Sequence, residues 1–139
     1  LDMVFFTNDP DEHHQFVLVS GRPEDVEFST CQQSSFRIDT LEELRTMHDH
    51  ITKNGVQNIR TVTHGNAFSI YFDDPEGNNV EIYMPTPWHV PQPNYLDIDF
   101  TKSDEQIMAE TEAHCRSTEG FMSAEARERE MKELMGIGD

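Results

Sequence analysis

Residues 67 to 84, "AFSIYFDDPEGNNVEIYM", constrain the fold more than any other stretch, because they carry two strand patterns separated by a turn. On the first arm Phe68, Ile70 and Phe72 alternate with Ala67, Ser69 and Tyr71; on the second, Val80, Ile82 and Met84 alternate with Asn79, Glu81 and Tyr83. Successive side chains of a strand point to opposite faces, so each arm offers one apolar face to a core and one polar face away from it. Pro75, Gly77 and Asn78 supply the turn between the arms. Glu81 is then either a solvated outward residue or one aimed into a polar cavity.

The flanking segments extend this hairpin into a module. Residues 59 to 64 read as a further strand, and residues 28 to 38 as another. Between them Leu41, Leu44, Met47 or His48, and Ile51 follow helical spacing, with Thr40 and Glu43 as a capping box and Gly55 just past the end. Residues 28 to 84 thus spell β-α-β-β-β, a mixed sheet whose apolar face lies under the helix. Upstream, residues 2 to 7 and 14 to 19 flank the turn-rich "NDPDE" and predict a second hairpin.

Downstream, "PTPWHVPQP" at residues 85 to 93 predicts an extended, rigid strap that ends the domain, since proline cannot continue a ladder. Residues 103 to 117, opened by Ser103 and Gln106, and residues 124 to 135, closed by Gly136, predict two charged helices. Their apolar stripes are weak, which suits packing on the domain or on a partner chain. The fold class is α+β, with a domain at 1–95 and a helical extension at 96–139. The chain enters an apolar run directly at Leu1, which reads as a fragment or a processed chain.

Charge narrows the partners. With 27 acidic and 10 basic residues the formal charge is -17, which opposes attraction to phosphate, so nucleic acid and anionic membranes are not expected partners. No apolar run approaches the roughly 20 residues that span a bilayer, and a cytoplasmic location is the expectation. Cys31 and Cys115 are far apart and form no zinc or disulfide pattern, so both are expected to be structural.

Of seven histidines, His13, His14, His64 and His89 lie in or beside strands or the strap, whereas His48, His50 and His114 read as bystanders. Taken singly, His14 and His64 are ordinary strand-end residues, and Tyr71 and Glu81 an ordinary solvated sheet face. Together, a carboxylate, histidines and a phenol would suit a mononuclear ferrous or manganous centre with open positions. HExxH, CxxC, G-x-S-x-G and P-loop motifs are all missing, which removes support for zinc proteases, α/β-hydrolases and nucleotide phosphate cradles.

The segments "HHQFVLV", "SSFRIDTLEEL", "THGNAFSIYFDDPEGNNVEIY" and "PWHVPQP" resemble the vicinal oxygen chelate (glyoxalase, bleomycin resistance, extradiol dioxygenase) superfamily, and within it the extradiol ring-cleaving dioxygenases. The resemblance covers residues 1 to about 95. It implies paired β-α-β-β-β modules forming a cupped sheet around one metal ion, with residues 28 to 84 as a complete module and residues 1 to 20 as the last two strands of the other. Carried over by position, the resemblance makes Glu81 the carboxylate ligand and places Gln33 where the family has a ligating histidine. A glutamine ligand is found in glyoxalase relatives. His14 falls at the acid/base histidine, His64 at the histidine that contacts substrate and oxygen-derived intermediate, and Tyr71 at the tyrosine that contacts the substrate hydroxyl.

The implied function is an extradiol-type dioxygenase acting on a catechol-like vicinal diol with Fe(II), or with Mn(II) or another divalent metal. Two alternatives of the same fold are a glyoxalase- or epimerase-like metalloenzyme, favoured by Gln33, and a non-catalytic small-molecule binder that holds no metal. A homodimer is expected from the incomplete sheet and the helical tail.

Overall fold

Thr40 sets where the central helix begins: its hydroxyl accepts from the Glu43 backbone N–H at 3.1 Å, and the Glu43 carboxylate accepts from the Thr40 N–H at 3.0 Å. These bonds satisfy N–H groups that the first turn leaves without partners, and they hold the Glu43 carboxyl below the usual carboxylate range, the Thr40 hydroxyl being the largest cause. Helix α1 then runs Leu41–Lys53, with Asn54 as C-cap and Gly55 beyond it in the left-handed region at φ 77°. The structure is a computed structural model that describes residues 2–6, 16–22, 24–25 and 33–137. Within it the chain forms two compact units, residues 1–30 and 31–139.

In the first unit, β1 (Met3–Phe6) pairs antiparallel with β2 (Phe16–Val19), Met3 opposite Val19 and Phe6 opposite Phe16. The Phe6 and Phe16 rings tilt against each other with centroids 6.1 Å apart. His13 and His14 lie outside the described residues.

The second unit holds a five-stranded sheet. Its strands are β3 (Ser34–Arg37), β4 (Arg60–Thr63), β5 (Ala67–Asp73), β6 (Asn79–Pro85) and β8 (Leu96–Asp97), arranged β3-β6-β5-β4-β8. β3 runs parallel to β6 and every other pair is antiparallel, so the sheet is mixed. Leu41, Leu44 and Ile51 of α1 are buried in one cluster with Phe68, Ile70, Ile82 and Met84, the apolar face read from the alternation. Asp74 closes the β5–β6 turn by accepting from the backbone N–H groups of Glu76 at 2.9 Å and Asn78 at 2.8 Å.

The strap departs from the expected unpaired segment. β7 (Trp88–His89) pairs with β9 (Met122–Ser123), and β8 adds an edge to β4. Each ladder involves only two residues per strand, too short for any periodic pattern, and none of those residues is a proline. Helix α2 (Asp104–Ser117) buries Ile107, Thr111 and Cys115 at four-residue intervals, with a threonine interrupting the stripe, whereas α3 (Ala124–Met135) buries nothing. Arg45 ties α1 to the segment entering α2: its guanidinium donates to the Phe100 carbonyl, to the Lys102 carbonyl at 3.0 Å and to Asp104 at 2.6 Å. No helix among the described residues is long and apolar enough to cross a membrane.

Candidate functional site

Strand register sets four side chains in one row across the polar face. Arg60 of β4 stands opposite Tyr71 of β5, Tyr71 opposite Glu81 of β6, and Glu81 beside Ser35 of β3. Residues paired across adjacent strands bring their side chains into contact on the same face. The Arg60 guanidinium accordingly lies over the Tyr71 ring, 5.2 Å from its centroid.

Glu81, only 8% exposed, answers the question its alternation raised, since it points into the polar face. Its Oε1 accepts from Ser69 Oγ at 2.8 Å and from the Tyr71 hydroxyl at 2.5 Å. Its Oε2 accepts from Gln33 Nε2 at 2.8 Å and from Ser35 Oγ at 2.6 Å. No ion pair neutralises it among the described residues; four donors hold the buried carboxylate instead, and hydrogen bonds to a charged group are worth about 1.5–3 kcal/mol each. Burial, followed by the bond to Glu81, pushes the Tyr71 phenol up to about 12.

His64 joins this set from the end of β4. Its Nδ1 lies 2.9 Å from the Asn94 carbonyl, which can only accept, so Nδ1 carries a proton and Nε2 faces the Tyr71 hydroxyl at 3.0 Å. Tyr71 has one proton and two neighbours able to take it. The Glu81 carboxylate at 2.5 Å is the nearer acceptor and His64 Nε2 at 3.0 Å the farther. The imidazole, the phenol and the carboxylate therefore form one hydrogen-bonded line.

The strap fixes His64 at both ends. Gln92 donates its amide to the His64 carbonyl at 2.7 Å and accepts from the Asn94 N–H at 3.0 Å. Two cavities open on this arrangement and His64 lines both. One, of about 430 Å³, is bordered by Ser35, Glu81, Tyr83 and Gln92. The other, of about 640 Å³, is bordered by Gln33, Arg60, Val62, Tyr71, Tyr95 and Asp97.

Glu81, Gln33, Tyr71 and His64 are thus brought together, and His14 lies outside the described residues. Among the described residues, the donor set as hydrogen-bonded here leaves no open position for a metal ion. Both Glu81 oxygens already accept from two donors, and Gln33 turns its NH2 to Glu81, a group with no lone pair for a cation. His64 Nε2 faces Tyr71 rather than an open position. Among the described residues no three His, Cys, Asp or Glu side chains are grouped to hold a metal ion.

Sequence reasoning gave no role to Ser35, Ser69, Gln92 or Asn94. Ser69 was within reach, because alternation puts it on the face of Tyr71 and a buried carboxylate demands donors. Ser35, Gln92 and Asn94 carried no such signal, since their partners lie far along the chain.

A family model described as Glyoxalase/Bleomycin resistance protein/Dioxygenase superfamily matches residues 2–82. Biphenyl-2,3-diol 1,2-dioxygenase 2 of Rhodococcus globerulus is 27% identical over 86 residues, covering 59% of this chain and 45% of the relative, so the chain spans a little under half of that protein's length. No solved structure matches the chain significantly.

Proposed function

The chain belongs to the glyoxalase/bleomycin resistance protein/dioxygenase superfamily, and from that premise we propose that the polar face of its sheet binds a small hydroxylated aromatic molecule, a phenol or a vicinal diol, without requiring a metal. The observation that carries this reading is the line His64, Tyr71, Glu81 opening on the two cavities. His64 Nε2 and the Glu81 carboxylate together fix the Tyr71 hydroxyl, whose oxygen can accept the hydroxyl hydrogen of a phenol or diol in the larger cavity that Tyr71 lines. Val62 and Tyr95 supply apolar surface for an aromatic ring in the larger cavity.

A second reading, metal-dependent ring cleavage of a vicinal diol, has the similarity to a biphenyl-2,3-diol dioxygenase in its favour. Members of the superfamily generally bind a divalent metal. A ferrous ion would serve such a reaction as the site where diol and oxygen meet, and it would need ligands other than the arrangement around Glu81.

Calorimetric titration of the protein with catechol, phenol and biphenyl-2,3-diol, anaerobically with and without Fe(II), decides between them. Binding that is indifferent to metal supports the first reading. Binding only with Fe(II), followed by oxygen uptake on admitting air, replaces it with the second. Absence of binding in both conditions refutes both.

A further inference from the structure

We infer that His114 of α2 is a positioning residue for the site, holding His64 in one tautomer through Asn94, so that the C-terminal helix is part of the ligand-binding machinery. The inference rests on the role proposed above for His64. Its geometry stands independently of that role. His114 Nε2 lies 2.8 Å from Asn94 Oδ1, and the same asparagine offers its backbone carbonyl to His64 Nδ1 at 2.9 Å. Asn94 is held from a third side by its N–H, which donates to Gln92 Oε1 at 3.0 Å, while Gln92 Nε2 returns to the His64 carbonyl at 2.7 Å. The circuit from His64 through Gln92 and Asn94 back to His64 closes on itself, and His114 is the one link that comes from α2.

That link has a rigid base. Cys115, next to His114, is fully buried, as is Val90 of the strap, and α2 is further anchored by buried Ile107 and Thr111. The same helix supports the turn after His64: a Cβ at Gly65 would overlap Val90 Cγ2 and stand 3.2 Å from Cys115 Sγ. Neighbouring residues of α2 therefore brace the backbone of the His64 turn and the carbonyl acceptor of the His64 ring. A hydrogen bond to one ring nitrogen decides which nitrogen carries the proton, and so what the other can do. Without His114 the Asn94 side chain loses its fixed partner, its backbone carbonyl can turn away, and His64 can place its proton on Nε2 instead.

The test uses the full chain carrying His114→Ala, His114→Gln and, as a control on the solvent side of the same helix, Arg116→Gln, whose guanidinium pairs with Glu112. Nitrogen-15 NMR of the imidazole rings reads the His64 tautomer directly and needs no ligand; catechol titration reads the site. In the unaltered protein and in Arg116→Gln, His64 is a single Nδ1–H tautomer. In His114→Ala the His64 ring nitrogens shift toward a mixture of tautomers, and catechol affinity falls about fivefold or more, the loss expected for one net hydrogen bond. His114→Gln, which keeps an N–H donor, restores the single tautomer. A His114→Ala protein that folds with His64 ring shifts identical to those of the unaltered protein overturns the inference, whatever catechol does. Catechol that fails to bind even the unaltered protein refutes the proposed function while the NMR result still decides the role of His114.

Discussion

Gly65→Ala probes the joint between the site and the helix behind it. Gly65 follows His64 and adopts φ 80°, a left-handed conformation that an L side chain occupies at a cost of about 1–2 kcal/mol. Its added methyl would also overlap Val90 Cγ2 and press on Cys115 Sγ, two residues with no exposed surface and hence little room to give. Overpacking of this kind costs about 1–3 kcal/mol, so the whole change should destabilise by about 2–5 kcal/mol. For a chain of this size that corresponds to a fall in Tm of roughly 6–20 °C. Gly77→Ala is the matched control, because Gly77 has φ 78° and nothing within 4 Å of an added Cβ. The difference between the two substitutions, measured by urea denaturation, isolates the steric part at about 1–3 kcal/mol. Adding Val90→Ala to Gly65→Ala makes room for the methyl, and a coupling of about 1 kcal/mol or more between the two changes is expected. Gly65→Ala no more destabilising than Gly77→Ala, together with strict additivity in the Val90→Ala cycle, would refute the argument that α2 and the strap press on the His64 turn.

The Tyr71 phenol, raised from about 10 to about 12, titrates late in the folded protein, so its contribution to stability is complete below about pH 10 and is lost as pH climbs from there through about 12. A spectrophotometric phenolate titration should therefore lose its latest component in Tyr71→Phe; persistence of that component sinks the assignment. Ser69→Ala removes one of the four donors to a buried carboxylate and should cost about 1–3 kcal/mol in denaturant unfolding. Thr40→Ala removes the hydroxyl of the capping box and should cost about 1 kcal/mol, read by the same assay. Arg60→Gln removes a cation that lowers the Tyr71 pKa, so the phenol should titrate still later, which the phenolate absorbance would show.

What this sequence determined by itself is whatever depends on near neighbours. The Thr40 and Glu43 cap, the 3.6-residue spacing of Leu41, Leu44 and Ile51, the turn at Pro75, Gly77 and Asn78 and the two-residue alternation in β5 and β6 are all local chemistry, and each stands in the structure where its residues predict it. Alternation alone also put Tyr71 and Glu81 on one polar face. The site itself was decided elsewhere. Glu81 gains Ser35 and Gln33 across 46 and 48 residues of chain, and only the parallel register of β3 against β6 brings them there. Asn94 reaches His64 over 30 residues, and His114 reaches Asn94 over 20, through a strap and a helix whose own patterns do not name their targets. His114 read as a bystander for that reason: a hydrogen bond is specified by where two distant backbones come to rest, and that placement follows from packing Val90, Ile107 and Cys115 together rather than from the residues on either side of the histidine.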